Sequence, residues 1–171
     1  MEQVRQRLPS LSGGVTGKYP VVPVLVALAL LGGCSDSGPS PGEQALVFDT
    51  ADGQALEWAS LRGEWVLVNY WAEWCKPCIE EIPELNRVDG EDGVTVLAVN
   101  FDGVQGEALR ELGQRMGIAY TMLAENPAPA FGWEMPQGLP ATFVVTPEGE
   151  LREALMGAQT EAELMSAMKR D

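Results

Sequence analysis

Residues 65–83 read WVLVNYWAEWCKPCIEEIP, and this stretch decides the fold. Its first seven residues, 65–71, are apolar on both faces, which predicts a strand that other elements cover on both sides. Cys75 and Cys78 follow, and the sequence after them predicts a helix from about Cys75 to Arg87. A strand that passes directly into Cys-x-x-Cys therefore predicts two thiols at the N-terminus of a helix.

The position of these thiols has a chemical consequence. A helix N-terminus carries unpaired N–H groups and about half a positive charge, which lowers a thiol pKa below its free value of about 8.5. Cys75 is therefore the expected nucleophile, and Cys78, one turn later, can close or resolve a disulfide. Pro77 suits the first helical turn because its missing N–H is not needed there. Lys76 either adds a positive charge beside the thiolate or is an exposed, solubilising lysine.

A metal site and a structural disulfide are the weaker interpretations of the cysteine pair. The chain contains no histidine, which excludes histidine-based catalysis and histidine-ligated metals. A structural zinc site needs four ligands, and Cys34 is the one further cysteine. A purely structural disulfide across so short a loop would constrain the unfolded chain little. The pair therefore indicates redox chemistry that uses neither metal nor cofactor.

The rest of the chain predicts alternating strands and helices, hence an α/β domain with a mixed sheet. The predicted elements are a hairpin over 46–58 that turns at Asp52-Gly53, strands over 94–100, 119–123, 142–146 and 151–156, and helices over 107–116 and 160–168. Thr160 and Glu163 form a capping box at the start of the last helix.

Two segments resemble the TlpA-like branch of thioredoxin-fold disulfide reductases: residues 71–78 (WAEWCKPC) and residues 138–143 (GLPATF). The resemblance implies a thioredoxin-like fold, with a central mixed β-sheet flanked by helices and an N-terminal β-hairpin extension. It also implies a cis peptide bond before Pro140, which would present the backbone of Leu139 to an extended substrate strand. Trp74 would then shield the sulfurs and contact the substrate.

A proton acceptor for the buried thiol is expected one turn after the pair. On a helix Glu81 lies about 60° around from Cys78, whereas Glu80 lies about 160° away. Glu81 and Pro83 also resemble the family's Cys-x-x-Cys-x-x-Glu-x-Pro pattern. We predict that Glu81 is partly buried, with a pKa raised by desolvation and the nearby thiolate. The alternatives are a solvated Glu81, or Glu73 or Glu80 in its place.

The first 33 residues predict a signal peptide. Basic residues precede an apolar run at 21–31, whose 11 residues fall short of the ~20 that span a bilayer. Residues 31–34 (LGGC) resemble the lipobox of bacterial lipoproteins, in which the chain is cut before the cysteine and the cysteine is acylated. Cys34 is therefore the predicted lipidation site; the alternative is a plain secretory signal with a chance cysteine.

The predicted mature chain has a lipid anchor, a tether over 34–44 and a thioredoxin-like domain over 45–171. Several acyl chains would hold the domain at the membrane permanently. Ser35 after the cysteine favours the outer over the inner membrane, by resemblance to lipoprotein sorting in enteric bacteria.

Net charge excludes one class of partner. The chain carries −14, and removal of residues 1–33 leaves 8 basic and 24 acidic residues, or −16. Nucleic-acid binders neutralise phosphates with basic residues, so this balance argues against a nucleic-acid partner. The acidity indicates a solvated surface or the selection of partners by charge.

These observations predict a thiol–disulfide oxidoreductase of the bacterial cell envelope that reduces disulfides of exported proteins. The resemblance suggests apocytochrome c as one client, and a membrane electron donor must re-reduce an exported enzyme. Three alternatives stay open: a disulfide oxidant or isomerase, a peroxide-reducing thiol enzyme on the same fold, and a tethered binding module with incidental cysteines.

Overall fold

The structure, a computed structural model, describes residues 46–169. Its strands are β1 (Val47–Asp49), β2 (Ala55–Glu57), β3 (Trp65–Trp71), β4 (Val94–Asn100), β5 (Thr121–Leu123), β6 (Ala141–Val145) and β7 (Leu151–Met156). Its helices are α1 (Lys76–Val88), α2 (Gly106–Met116), α3 (Ala128–Phe131) and α4 (Glu161–Lys169), with a 3-10 turn over Trp58–Leu61. The predicted signal peptide (1–33) and tether (34–44) lie outside the described residues.

A mixed five-stranded sheet in the order β5-β4-β3-β6-β7 forms the centre of the domain. Strand β3 pairs in parallel with β4 and antiparallel with β6, so it is the central strand. Six of its seven residues are buried, which explains its apolar sequence on both faces. Strands β1 and β2 form a separate antiparallel hairpin, as predicted.

Each face of the sheet is covered by different elements. Side chains of α1, α2 and α4 pack with Leu67 and Trp71 in one core cluster. The hairpin, the 3-10 turn and α3 pack with Val68 and Tyr70 in the other. Because side chains alternate along a strand, β3 therefore presents residues 67, 69 and 71 to the helices.

Of the elements that cover the second face, the sequence predicted the hairpin but not the 3-10 turn and α3. The 3-10 turn and α3 have four residues each, too few to show a helical period. They are held by aromatic contacts: the rings of Phe131 and Trp133 stack at 4.7 Å, and Trp58 lies 4.7 Å from Phe131. Long-range packing, which no local pattern reports, therefore shapes this part of the chain.

The other differences lie at the ends of elements. Strand β5 begins at Thr121, two residues later than predicted, and β6 begins at Ala141, one residue earlier. The capping box is confirmed, since the Thr160 N–H donates to Glu163 at 2.8 Å and the Glu163 N–H donates to Thr160 Oγ1 at 3.3 Å. None of the helices described between 46 and 169 is both long and apolar enough to cross a membrane.

Candidate active site

The two cysteines lie at the junction between β3 and α1. Cys75 is the N-cap residue, one position before the first residue of the helix, and its Sγ accepts a hydrogen bond from the Cys78 N–H at 3.3 Å. Cys75 and Cys78 form a disulfide with Cα atoms 5.3 Å apart. Cys75 is 4% exposed and Cys78 is 1% exposed, so in the oxidised state both are buried and Cys78 slightly more so. The first turn of the helix therefore directs the N–H of Cys78 at the sulfur of Cys75.

Trp74, directly before the pair, is on the surface. Its side chain is 67% exposed, so it is not part of the core. Its indole Nε1 donates to both carboxylate oxygens of Asp102, at 3.0 and 3.2 Å. Asp102 follows β4, the parallel neighbour of β3, which is why two residues 28 positions apart meet at this edge. Asp102 was not predicted from the sequence.

The second motif reaches the same edge of the sheet. The Leu139–Pro140 peptide bond is cis, as the family resemblance implied. Ala141 follows and pairs with Tyr70 in the register of β6 against β3, so this segment ends beside the end of β3. Pro140 is buried and Leu139 half-buried, and the carbonyl of Pro140 accepts from the Gly157 N–H at 2.8 Å. The roles of Leu139 and Pro140 in substrate binding stay predictions.

Glu81 is buried more completely than the sequence indicated. It is 2% exposed and shares the buried face of α1 with Cys78. Burial raises its pKa from 4.5 to about 7, although hydrogen bonds from Gln159 and Asn69 oppose the rise. The expectation of a raised pKa is confirmed, and the alternative of a solvated Glu81 is wrong. With the sulfurs joined in a disulfide, no thiolate contributes, so burial alone causes the rise.

The two fallback glutamates face solvent instead. Glu80 lies 3.6 Å from Lys76, and their side chains are 65% and 87% exposed. Glu73 lies 3.5 Å from Arg115, and both are more than half exposed. Exposed pairs of this kind contribute about 0–1 kcal/mol. Lys76 is therefore exposed, and Glu81 is the buried acid of this helix.

Three polar groups that hold Glu81 were not predicted. Asn69 Nδ2 donates to Glu81 Oε2 at 3.2 Å and to Thr142 Oγ1 at 3.0 Å, and the Gln159 N–H donates to Glu81 Oε1 at 2.9 Å. Asn69 is 1% exposed and Thr142 is fully buried. The sequence offered one signal for them: Asn69 is a lone amide in an otherwise apolar strand, and a buried polar group needs a hydrogen-bond partner.

The comparisons with known proteins agree with this geometry. A family model described as "AhpC/TSA family" matches residues 41–154. The chain belongs to the AhpC/TSA family. It is 40% identical over 106 residues to the thiol:disulfide interchange protein DsbE of Allochromatium vinosum, covering 61% of this chain and 58% of that protein. It is 28% identical over 134 residues to the thiol-disulfide oxidoreductase ResA of Bacillus thuringiensis, covering 75% of this chain and 77% of that protein.

A solved structure shares the fold of this chain. The crystal structure of a thiol:disulfide interchange protein of the thioredoxin family from Chlorobium tepidum superposes with a TM-score of 0.62 at 27% identity. The superposition covers 72% of this chain and 90% of that one. The predicted thioredoxin-like fold is therefore confirmed, as is the predicted class of activity, thiol–disulfide exchange.

Proposed function

We propose that this oxidoreductase reduces disulfides of exported proteins at the bacterial cell envelope, with Cys75 as the attacking sulfur. Cys78 resolves the mixed disulfide, and Glu81 accepts the proton of Cys78. The observation that carries the proposal is the placement of one sulfur at the N-cap of α1 and of a buried carboxyl on the same helix face as the other.

The first step forms a mixed disulfide. The Cys75 thiolate attacks one sulfur of a client disulfide, the client S–S bond breaks, and the other client sulfur leaves as a thiolate that takes up a proton. The N–H groups at the start of α1 stabilise the attacking thiolate, as they do for other thiols at helix N-termini. Cys75 stands at the N-cap of α1, ahead of Cys78, which suits it to this role.

The second step releases the client. Cys78 transfers its proton to the carboxylate of Glu81 and attacks the sulfur of Cys75. The Cys75–Cys78 bond forms as the bond between Cys75 and the client breaks, and the second client sulfur leaves as a thiolate that takes up a proton, so two electrons have passed from the enzyme to the client. A carboxyl with a pKa of about 7 can accept and return a proton at neutral pH. A dithiol donor in the membrane then reduces the disulfide and restores the enzyme.

The client surface is proposed at the same edge of the sheet. Trp74 is exposed next to the sulfurs, and the backbone at Leu139 and Pro140 ends beside β3. An extended client strand can pair with such a segment through main-chain hydrogen bonds. An unfolded exported protein, such as an apocytochrome c, offers a strand of this kind.

A trapping experiment tests these roles. Cys78→Ser, expressed in the native envelope, should accumulate Cys75 in mixed disulfides with client proteins, which mass spectrometry identifies. Cys75→Ser is the matched control and should trap little. Trapping by Cys75→Ser instead would reverse the assignment of the two sulfurs, and trapping by neither variant would remove the proposed mechanism.

Two measurements separate the proposed direction from its rivals. A reduction potential close to that of thioredoxin, about −270 mV, supports a reductase, whereas a value near −120 mV supports an oxidant. Peroxide consumption at a rate above that of client reduction would support a peroxide-reducing enzyme. Client binding that persists in the double variant Cys75→Ser, Cys78→Ser would support a binding module.

We also propose that Cys34 is acylated after removal of residues 1–33, and that residues 34–44 tether the domain to the outer membrane. The support is the LGGC segment at 31–34, which lies outside the described residues, and Ser35 after the cysteine. Labelled palmitate should enter the wild-type protein and not Cys34→Ala, which should move to the soluble fraction. Label in Cys34→Ala, or recovery of the wild type with the inner membrane, would contradict the corresponding part of the proposal.

A further inference from the structure

We infer that Asn69 is the positioning residue of the active site: its side-chain amide, fixed between Thr142 and Glu81, holds the buried carboxylate in place for proton exchange with Cys78. The inference rests on the role proposed above for Glu81. It adds a residue of the sheet to a site that otherwise consists of helix and loop residues.

The position of Asn69 is set by the sheet. It is the fifth of the seven residues of β3, and it points to the helix side because Leu67 and Trp71, two residues to either side, belong to the core cluster of the helices. Thr142 is its direct partner in the antiparallel register of β6. Asn69 is 1% exposed, so water does not compete for its amide.

The orientation of the amide follows from its two hydrogen bonds. Nδ2 carries two hydrogens, of which one goes to Glu81 Oε2 at 3.2 Å and the other to Thr142 Oγ1 at 3.0 Å. If the amide turned over, its carbonyl would face Glu81, and the bond to the ionised carboxylate, which can only accept, would be lost. The ionised carboxylate therefore orients the Asn69 amide with its donor toward Glu81, and Thr142 Oγ1 accepts the second hydrogen.

The carboxylate is held from two sides. Oε2 accepts a hydrogen bond from the amide of Asn69. Oε1 accepts one at 2.9 Å from the N–H of Gln159, which lies in the loop before α4. Both donors are neutral, so they stabilise the anion without adding a charge. A buried cation in their place would lower the pKa of Glu81 far below neutrality, where a carboxylate no longer takes up protons at physiological pH.

The surroundings of Glu81 leave few other groups to set its protonation. On the buried face of α1 the titratable residue beside Glu81 is Cys78, and Cys75 precedes the helix; both cysteines titrate when reduced. The part of α4 that packs in this core cluster is apolar (Leu164, Ala167 and Met168). Tyr120, before β5, is buried, and Glu81 contributes to the raised pKa of its hydroxyl. Within residues 46–169, the groups that lower the pKa of Glu81 are the two hydrogen-bond donors, Asn69 and Gln159.

The test measures Glu81 directly in the oxidised protein, where neither cysteine titrates. The ¹³C shift of the Glu81 carboxyl, followed by NMR against pH, should give a midpoint of about 7 in the wild type. Asn69→Leu removes the donor at nearly constant volume and should raise the midpoint by about one pH unit or more, the effect of losing one hydrogen bond to a charged group. Asn86→Leu is the control, because Asn86 lies on α1, as Glu81 does, and its amide also makes two hydrogen bonds. It donates to the Gly117 carbonyl and accepts from the Ala119 N–H.

A second variant covers the case in which Asn69→Leu does not fold. Asn69→Asp keeps the size of the side chain and places a second carboxyl against Glu81, so the upper midpoint of the pair should rise above the wild-type value. A wild-type midpoint in either folded Asn69 variant, or an equal shift in Asn86→Leu, would overturn the inference.

A kinetic measurement separates this inference from the proposed function. The rate of the resolving step, followed in a single turnover with a disulfide-bonded peptide, should show a pH midpoint that moves with the NMR midpoint in Asn69→Leu. If the NMR midpoint moves and the kinetic one does not, Glu81 has no part in resolution and the proposed role of both residues fails. If the NMR midpoint stays in place while Glu81→Gln slows resolution, the proposed function stands and Asn69 is not its positioning residue.

Discussion

Replacing Glu81 with glutamine should remove a pH dependence from the stability of the oxidised domain. In the folded protein burial raises the pKa of Glu81 from 4.5 to about 7. Below pH 4.5 the group is protonated in both the folded and unfolded states, and it contributes nothing to the pH dependence. As pH rises through 7 the folded state must carry a buried charge, so the free energy of unfolding falls.

The structure gives the size of this fall. One pKa unit corresponds to about 1.4 kcal/mol, so a change from 4.5 to about 7 lowers the free energy of unfolding by about 3 kcal/mol between pH 4.5 and pH 8. Glutamine mimics the protonated carboxyl because it is neutral, keeps one acceptor oxygen for the Gln159 N–H, and presents a donor to Asn69, whose amide can turn to accept it. Glu81→Gln should therefore match the wild type near pH 4.5 and exceed it by about 3 kcal/mol at pH 8.

Urea unfolding of the oxidised proteins at pH values from 4.5 to 8 measures this difference. The chain contains no histidine, so no imidazole titrates in the same window. Glu80→Gln is the control, since Glu80 is exposed on the same helix and should change the free energy of unfolding by less than about 1 kcal/mol at every pH. A constant difference between Glu81→Gln and the wild type across this range would refute the assignment of a buried, near-neutral carboxyl.

Two further predictions concern the surface and the core. Asp102→Ala should release the indole of Trp74 and raise the KM for a client peptide several-fold with little change in kcat. Asp102→Asn keeps an acceptor and should retain most of the binding. Equal KM values in these two variants would contradict a role for this contact. Leu85→Ala, at a fully buried position of α1, should lower the free energy of unfolding by about 2–5 kcal/mol in urea, and Leu151→Ala, at an exposed position of β7, by less than about 1 kcal/mol.

The order of strands and helices was predictable from the sequence because it depends on local periodicity. Strand β3 shows an apolar run interrupted by a single amide, and α1 follows it with apolar residues at helical spacing and a proline in its first turn. The segments that escaped prediction, the 3-10 turn and α3, are stabilised by aromatic rings from distant parts of the chain. Such contacts depend on the fold as a whole and leave no local pattern.

The residues of the site also divide into those placed by local structure and those placed by the fold as a whole. The placement of Glu81 beside Cys78 follows from the rotation of one helix, so the sequence was enough. The partners of Glu81 come from other elements: Asn69 is 12 residues away and Gln159 is 78 residues away. Their meeting depends on how α1 crosses the sheet and where α4 begins. Asp102 meets Trp74 because the parallel pairing of β3 and β4 brings the residues that follow both strands to the same edge of the sheet.

The buried carboxyl connects the stability of the fold with its chemistry. From its raised pKa, ionisation of this glutamate is expected to lower the free energy of unfolding by about 3 kcal/mol, which is a large fraction of the stability of a domain of this size. Leucine would fill the same volume among the apolar residues of α1 without that loss. Full exposure would also avoid the loss, but it would return the pKa of Glu81 to 4.5, where the carboxylate is a poor proton acceptor at neutral pH. Burial against two neutral donors therefore gives Glu81 a pKa near 7 at the expense of stability. A loss of stability in exchange for a pKa near neutrality is the pattern expected of a residue that serves catalysis.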